Sequence, residues 1–303
     1  MESQAGVPGV GASSLALRWL NAFGIACILC SPAAADGLRF GASADYTWDD
    51  NVNRATRDQK LRDRFASANA SATLPLQLSP HFRLMLSGAA GGDTFHYYTG
   101  LTRAFAEFDG ELQFRSSGQY TAPIWALFVK QGVDWYQSDL RDGYGTTAGL
   151  SVRKPVTDRV FLFGAASYIQ YNGRNTVFDT KEWSVRGTVD YALARKHTLY
   201  FGLEYREGDS VSSVAPAPEW RSIAKAIVQD DVFTNPQFNA YRFEARTGIV
   251  TAGYNFEIAP SQSLDISYHG VYSRPKDQPP SYVSPDVVYY LDNQITLSYL
   301  IRF

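Results

Sequence analysis

The sequence has little cysteine and little charge. Its two cysteines, Cys27 and Cys30, both lie near the N-terminus. The rest of the chain therefore excludes a disulfide framework, a thiolate metal site and a cysteine nucleophile. Only 19% of the residues are charged and the formal net charge is -2, so the chain lacks the basic field that nucleic-acid binding requires. We expect no nucleic-acid partner.

Long hydrophobic runs are also missing after residue 35, so the sequence predicts no membrane-spanning helix there. Arg18 precedes an apolar run over residues 20–30, and small residues follow at 33–35, as a signal peptidase requires. We predict that residues 1–35 are a cleaved secretory signal peptide. The alternatives are an N-terminal membrane anchor, for which the run is short, and a lipid anchor on Cys27, for which Gly24 is an unusual neighbour.

What the chain has instead is an alternation of apolar and polar residues, and 14% of its residues are aromatic. Near the C-terminus Leu297, Tyr299 and Ile301 take one parity while Ser298 and Arg302 take the other. Successive side chains of a strand point to opposite faces, so this segment has one apolar and one polar face. Comparable stretches recur along the chain and exceed the usual 5 to 6 residues of strands in soluble sheets. Such lengths are typical of tilted membrane crossings.

These stretches predict about twelve strands, with short turns alternating with longer links, of which the longest covers residues 208–239. We therefore predict an all-β fold for residues 36–303: a closed, antiparallel, up-and-down transmembrane β-barrel of about 12 strands. A soluble β-sandwich is the alternative, and the strand lengths speak against it. The predicted strands lie near residues 38–50, 61–78, 82–97, 104–115, 122–139, 143–154, 159–171, 181–194, 198–207, 240–258, 263–275 and 289–303.

The final strand, residues 293–303, resembles the C-terminal signature of Gram-negative outer-membrane β-barrel proteins, which include the porins. Residues 48–54 also resemble, more weakly, a stretch near the first strand of some of these barrels. The resemblance implies a place in the cell outer membrane, in contact with outer-membrane lipid and lipopolysaccharide. It also implies that Tyr299, Ile301 and Phe303 form the face recognised by the barrel-assembly machinery.

If the apolar parity faces lipid, the polar parity lines the lumen and places charges of both signs there. A narrow, hydrated, charge-lined channel for small hydrophilic solutes is the leading hypothesis. The alternatives are charges that pair and plug a non-conducting barrel, which acts in surface interaction or envelope structure, and an outer-membrane hydrolase. The predicted lumen-lining charges are Glu107, Asp109, Glu111, Arg115, Arg186, Asp190, Glu204, Arg206, Arg242, Glu244 and Arg246.

The phase of alternation slips near Gly248, which predicts a bulge at that residue. In the longest link, Trp220, Ile223 and Ile227 follow Pro218 at helical spacing. This spacing predicts either a helix that constricts or covers the mouth, or a plain loop with one helical turn.

We predict no catalytic residue, no cofactor and no metal, and hence no enzyme. The four histidines are His81, His96, His197 and His269, of which His96 has Asp93 nearby and His269 shares a parity with Ser267. Neither pair lies in a recognisable hydrolase motif. The run Asp49-Asp50-Asn51 has oxygen ligands suited to Ca²⁺ or to lipopolysaccharide bridging, but a solvated loop is the expected interpretation of such a run.

Overall fold

The computed structural model describes residues 37–277 and 289–303. The predicted signal peptide, residues 1–35, lies outside them, as do both cysteines. The described residues form thirteen antiparallel strands and one short helix, α1 (Pro218–Ile223). The strands are β1 (Arg39–Asp49), β2 (Asp63–Gln77), β3 (Phe82–Phe95), β4 (Arg103–Arg115), β5 (Ile124–Tyr136), β6 (Gly143–Pro155), β7 (Val160–Gly173), β8 (Thr180–Ala194), β9 (His197–Val214), β10 (Ala226–Thr234), β11 (Gln237–Ala259), β12 (Gln262–Pro275) and β13 (Tyr290–Arg302).

The sheet closes on itself, because β1 pairs with β2 on one edge and with β13 on the other. At this seam Gly41 lies opposite Arg302 and Asp49 lies opposite Gln294. Elsewhere the wall strands pair in chain order, except that β9 pairs directly with β11. Twelve strands therefore close an antiparallel barrel, which removes the free edges of the sheet. β10 is an extra strand that pairs with the first residues of β11.

Large apolar side chains cover the outside of the wall. On β4, Phe108, Leu112 and Phe114 are exposed, whereas Glu107 and Glu111 at the alternate positions are partly covered. A continuous apolar surface of this kind suits contact with lipid tails. Exposed aromatic residues, which favour membrane interfaces, are Tyr46, Trp48, Trp125, Tyr168, Trp183, Tyr205, Tyr268 and Tyr272.

The two ends of the barrel differ. Tight turns at residues 78–81, 156–159, 195–196 and 260–261 join strands at the end where β1 begins and β13 finishes. A longer link, residues 116–123, joins β4 to β5 at this end. The opposite end has the longest links, such as residues 50–62 between β1 and β2, and several links there contain single 3₁₀ turns such as Asp139–Arg141. Outer-membrane barrels place short turns in the periplasm and long loops outside. We therefore refer to the long-loop end as the outer mouth.

The structure confirms the predicted fold class, and most strand limits agree within two or three residues. The main difference lies in the link predicted at residues 208–239. β9 continues to Val214, the predicted helix is a single α1 of six residues, and Ile227 belongs to the extra strand β10. The run Ala226-Ile227-Val228 is rich in β-branched residues, and its pairing with β11 outweighs the helical spacing.

The final strand follows the alternation seen in the sequence. Tyr299 and Ile301 share a parity with Ile295 and Leu297, which are exposed on the outside, and Phe303 is 76% exposed. Their predicted recognition by the assembly machinery stays a prediction. No helix within residues 37–277 and 289–303 has the length and hydropathy needed to cross a membrane.

Candidate functional site: the lumen and its outer mouth

Contacts that skip a strand identify the lumen face of the wall. Arg153 on β6 forms an ion pair with Glu111 on β4 (Nη2–Oε2 3.1 Å), although β5 lies between these strands. Tyr200 on β9 donates a hydrogen bond to Asp265 on β12 (2.8 Å) across β11. Side chains converge on the concave side of a closed sheet and diverge on the convex side. These residues therefore point into the barrel.

One side of the lumen carries charges of both signs, and we call it the charged wall. Lys130 lies 2.7 Å from Glu107 (Nζ–Oε2). Arg206 contacts Glu204 at 2.6 Å and Glu182 at 3.1 Å. Each of these basic groups thus has an acidic neighbour on the same or the next strand. The charged wall, on β4 to β9, comprises Glu107, Asp109, Glu111, Lys130, Asp134, Arg153, Glu182, Arg186, Asp190, Glu204 and Arg206.

The basic side chains of the charged wall remain accessible to solvent, whereas Glu111, Glu182 and Glu204 are mostly covered. The side chains of Arg153 and Lys130 are 50% and 44% exposed although they point inward. Arg186 is also exposed, with its guanidinium 5.0 Å from the ring centre of Phe163. Side chains that filled the barrel would bury these groups. The lumen at this height therefore has room for water.

The opposite side of the lumen carries small polar residues, and we call it the hydroxyl wall. The hydroxyl groups of Thr47 and Thr296 lie 2.8 Å apart across the seam, and Asn69 donates to Ser43 at 2.8 Å. On the described strands of this wall, the basic residues of the inward parity are Arg39 and Arg302. Both lie at the periplasmic end. The hydroxyl wall, on β11 to β13, β1 and β2, comprises Ser43, Thr47, Ser67, Asn69, Ser71, Thr251, Ser263, Ser267, Thr296 and Ser298.

The structure places eight of the eleven predicted lumen charges on the inward parity of β4, β8 and β9. Seven belong to the charged wall, and the eighth, Arg115, lies at its periplasmic end and donates to the carbonyl of Gln119. The lumen-lining residues predicted by name are all charged and include none of the hydroxyl wall. The alternation of Ser and Thr on β1 and β13 is the sequence signal that could have identified it.

The other three predicted lumen charges require a correction. Arg242, Glu244 and Arg246 share the parity of Val250, which is exposed on the outer surface, while Thr247 and Ile249 take the inward parity. The β9–β11 pairing is continuous through Gly248, so no bulge shifts the phase. β11 is 23 residues long and extends past the apolar belt. Its outward face is polar there because that part of the strand meets water instead of lipid.

Ion pairs hold this outer extension together. Lys225 contacts Asp209 at 2.9 Å and Glu244 at 2.6 Å. Partial burial of Lys225 disfavours its charge, but the hydrogen bonds to Glu244 and Asp209 outweigh that effect and raise the pKa of Lys225 above its ordinary value. Arg246 and Lys276 both approach Glu207.

The segment from residue 208 to residue 239 forms a cap over the outer mouth. Its core contains Trp220 of α1, which packs against Tyr241 and Phe243 with ring centres 6.0 and 5.4 Å apart. Ala55, from the link between β1 and β2, is fully buried in the same cluster. Asn53 of that link donates a hydrogen bond to the carbonyl of Ser213 (2.9 Å). The cap is thus anchored across the barrel opening.

A buried ion pair fastens the cap to the far rim. Arg141, in the link between β5 and β6, contacts Asp230 of β10 at 2.6 Å, and Asp230 is fully buried. The Arg141 guanidinium also lies 4.6 Å from the ring centre of Phe178 and 5.9 Å from that of Phe233. Removing one partner of such a pair leaves an uncompensated buried charge. We call Arg141 and Asp230 the latch.

Beneath the cap lies a cavity of 740 Å³. Arg54 reaches it from the link between β1 and β2, where its backbone is left-handed with φ 52°. Phe65 and Phe95 stack on one side with ring centres 4.5 Å apart. A second cavity of 590 Å³ lies towards the periplasmic end and includes Arg153 and Asp190.

The histidine pairs suggested by the sequence do not form a catalytic arrangement among the described residues. Asp93 binds Arg103 (2.6 Å) and Ser67, whereas His96 lies near Arg64 on the exposed rim. The ring of His269 contacts Thr251 at 3.2 Å within the lumen.

Comparisons with known proteins support the fold. No protein-family model and no curated protein matches the sequence. Among solved structures, an outer membrane channel from Pseudomonas putida F1 aligns with a TM-score of 0.55 at 10% identity, over 88% of this chain and 96% of that chain. Two porins align more loosely: KdgM with a TM-score of 0.44 at 11% identity, over 87% and 99% of the two chains, and NanC with 0.41 at 8%, over 86% and 98%.

Proposed function

We propose that this chain is an outer-membrane channel for small hydrophilic solutes, with a mixed-charge lumen that determines selectivity. The solvent exposure of Arg153 and Lys130 on the inward face supports the proposal most directly. Charges that served to plug the barrel would be buried by their partners. A hydrated pore with ionised groups at its wall favours polar or charged permeants over apolar ones.

Acidic groups outnumber basic ones on the charged wall, where three acidic residues alternate along β4. The hydroxyl wall adds Asp45 and Asp265 without a basic residue near the middle of the barrel. The electrostatic field of the lumen is therefore negative on balance, and we expect the channel to prefer cations.

The mouth limits the size of the permeant. The cap spans the opening and is fixed by the latch, Arg141 and Asp230. Solutes that enter from outside must pass the edges of the cap and then the 740 Å³ cavity beneath it. We therefore expect the permeants to be small molecules.

The direct test is single-channel recording in planar bilayers with the chain folded in detergent. The variant Glu107→Gln/Asp109→Asn/Glu111→Gln removes three lumen carboxylates, and we expect its reversal potential in a salt gradient to shift towards anions. The matched control is Glu244→Gln, which neutralises an outward carboxylate and leaves the reversal potential unchanged. Equal shifts in both variants would refute a selectivity role for the charged wall.

A second candidate function is favoured by the cap, which covers the mouth of a barrel that would then act in surface interaction or envelope structure without conducting. The variant Asp230→Ala opens the latch and separates the two candidates. Conductance in this variant but not in the wild type would identify the cap as a closed gate over a working pore. The absence of conductance in both folded proteins would support the non-conducting function.

We propose that the protein resides in the outer membrane, contacts lipid and lipopolysaccharide through its apolar belt, and reaches the assembly machinery through Tyr299, Ile301 and Phe303. We assign it no catalytic role. Immunodetection in separated inner and outer membranes would test the location.

A further inference from the structure

Three carboxylates meet at the seam where the first and last strands close the barrel. Asp49 ends β1, Asp50 follows it, and Asp292 lies near the start of β13. Oxygen atoms from all three side chains lie within 4.8 Å of one another. Two oxygens that bind one Ca²⁺, each at 2.3 to 2.6 Å, are separated by about 5 Å at most. The spacing of these carboxylates thus permits a shared cation.

Asp292 is the carboxylate with an unsatisfied oxygen. It is 5% exposed, and its Oδ2 accepts a hydrogen bond from Gln294 at 3.2 Å. Its Oδ1 is buried and receives no hydrogen bond from a nitrogen or hydroxyl group within the described part of the chain. Asp49 lies within hydrogen-bonding distance of Asp292, so either a shared proton or a shared cation must relieve the repulsion between these two carboxylates. An ionised carboxylate is rarely buried without a compensating positive group, because its desolvation is costly.

The direct contacts of the other two carboxylates supply one positive charge. Lys60 lies 3.3 Å from Asp50 and compensates that carboxylate. Asp49 accepts hydrogen bonds from neutral donors, the backbone N–H of Asn51 at 2.7 Å and the amide of Gln294 at 3.0 Å.

Arg54 supplies a second positive charge without a direct contact. It acts on Asp49 and Asp292 electrostatically, and no ion pair joins it to either carboxylate among the described residues. With all three carboxylates ionised, Lys60 and Arg54 together leave the cluster negative. A divalent cation at the shared position would offset that excess, because attraction between charges increases as their separation decreases.

We propose that Asp49, Asp50 and Asp292 bind one divalent cation, Ca²⁺. Ca²⁺ accepts six to eight oxygen ligands in irregular arrangements and completes its shell with water, whereas Mg²⁺ demands a near-ideal octahedron. The ion clamps β1 to β13 at the seam and steadies the link between β1 and β2. Asn51 of that link already donates to the carbonyl of Leu291 on β13 (2.7 Å), so the clamp fixes the link that carries Arg54 into the lumen.

The test is calorimetric titration of Ca²⁺ into the full chain, folded in detergent and stripped with a chelator. We expect one site per chain, with a dissociation constant of roughly 10⁻⁴ to 10⁻³ M, as in extracellular calcium-binding modules. Asp292→Asn should weaken binding at least tenfold. The matched control is Asp265→Asn, an inward aspartate on β12 that is hydrogen-bonded to Tyr200 outside the cluster, and it should bind as the wild type does.

The absence of Ca²⁺ binding by the wild type would overturn the proposal, as would equal affinities of the two aspartate variants. Folding of Asp292→Asn is judged by heat-modifiable migration in gel electrophoresis. If this variant does not fold, Ca²⁺ binding by the variant Arg54→Gln tests the site instead. Because Arg54 repels a cation bound at Asp49 and Asp292, its removal should tighten Ca²⁺ binding severalfold. Unchanged or weaker binding in Arg54→Gln would count against the site.

Discussion

The two walls of the lumen use polar residues in different ways. The charged wall holds acids and bases in pairs, such as Lys130 with Glu107, and its basic side chains remain partly exposed. The hydroxyl wall consists mostly of short neutral side chains, such as Thr47 and Thr296, whose hydroxyl groups bond to each other, and its strands carry the inward carboxylates Asp45 and Asp265. Long charged groups produce a field that extends several ångströms into the pore, whereas paired hydroxyl groups produce almost none. Selectivity should therefore depend mainly on the charged wall.

The largest effect should come from breaking a charge cluster on the charged wall. Arg206→Gln leaves Glu182 and Glu204 without their shared cation. One unit charge acts with about 1 kcal/mol at 4 Å in water, and salt reduces this, so we expect the cation-to-anion permeability ratio to rise roughly twofold to fivefold. Reversal potentials in a salt gradient measure it.

The matched control for this change is Arg246→Gln, on the outward parity of β11, which should leave the permeability ratio as in the wild type. If Arg246→Gln raised the ratio as much as Arg206→Gln does, the assignment of inner and outer faces on β11 would be wrong.

An intermediate effect should come from placing a positively charged side chain on the hydroxyl wall. Thr251→Lys introduces a positive charge on β11, and we expect a smaller cation preference in the same recordings. The comparison is Thr188→Lys on the charged wall, where Arg186 and Asp190 lie two residues away on either side along the same face and the excess of acidic groups on this wall offsets the new charge. Equal shifts for the two lysines would show that the walls do not differ electrostatically.

The smallest effect should come from removing a hydroxyl pair. Thr47→Val/Thr296→Val replaces both partners by near-isosteric apolar groups, so no donor is left unsatisfied. We expect the free energy of unfolding to fall by about 1 kcal/mol or less, with unchanged ion selectivity. Urea titration of the folded barrel measures the first quantity. A loss of several kcal/mol would mean that the seam depends on this pair.

Much of the wall is predictable because side chains in a strand repeat every two residues. The alternation of Leu297, Tyr299 and Ile301 with polar residues predicts β13 and its two faces, and the same rule places Glu107 and Glu204 on the polar parity. The rule is wrong for Glu244, because parity indicates which residues share a face but not whether that face meets lipid, water or the lumen. The height of the residue along the barrel decides this.

The structure of the cap is also only partly predictable from local sequence patterns. Residues 218–228 carry helical spacing, and a six-residue α1 does form there, but β10 follows because the edge of β11 is available for pairing. The latch joins Arg141 to Asp230 across 89 residues of sequence, and no local pattern marks residues so far apart as partners.

The sequence by itself determined that the chain builds long amphipathic strands, about how many, and which residues share a face, since these properties depend on local alternation and turn residues. The tertiary structure alone decided that β1 meets β13, that Asp292 joins Asp49 and Asp50, and that the cap crosses the mouth. Each of these depends on how a closed, tilted sheet brings distant segments to the same height, and closure is a property of the whole barrel.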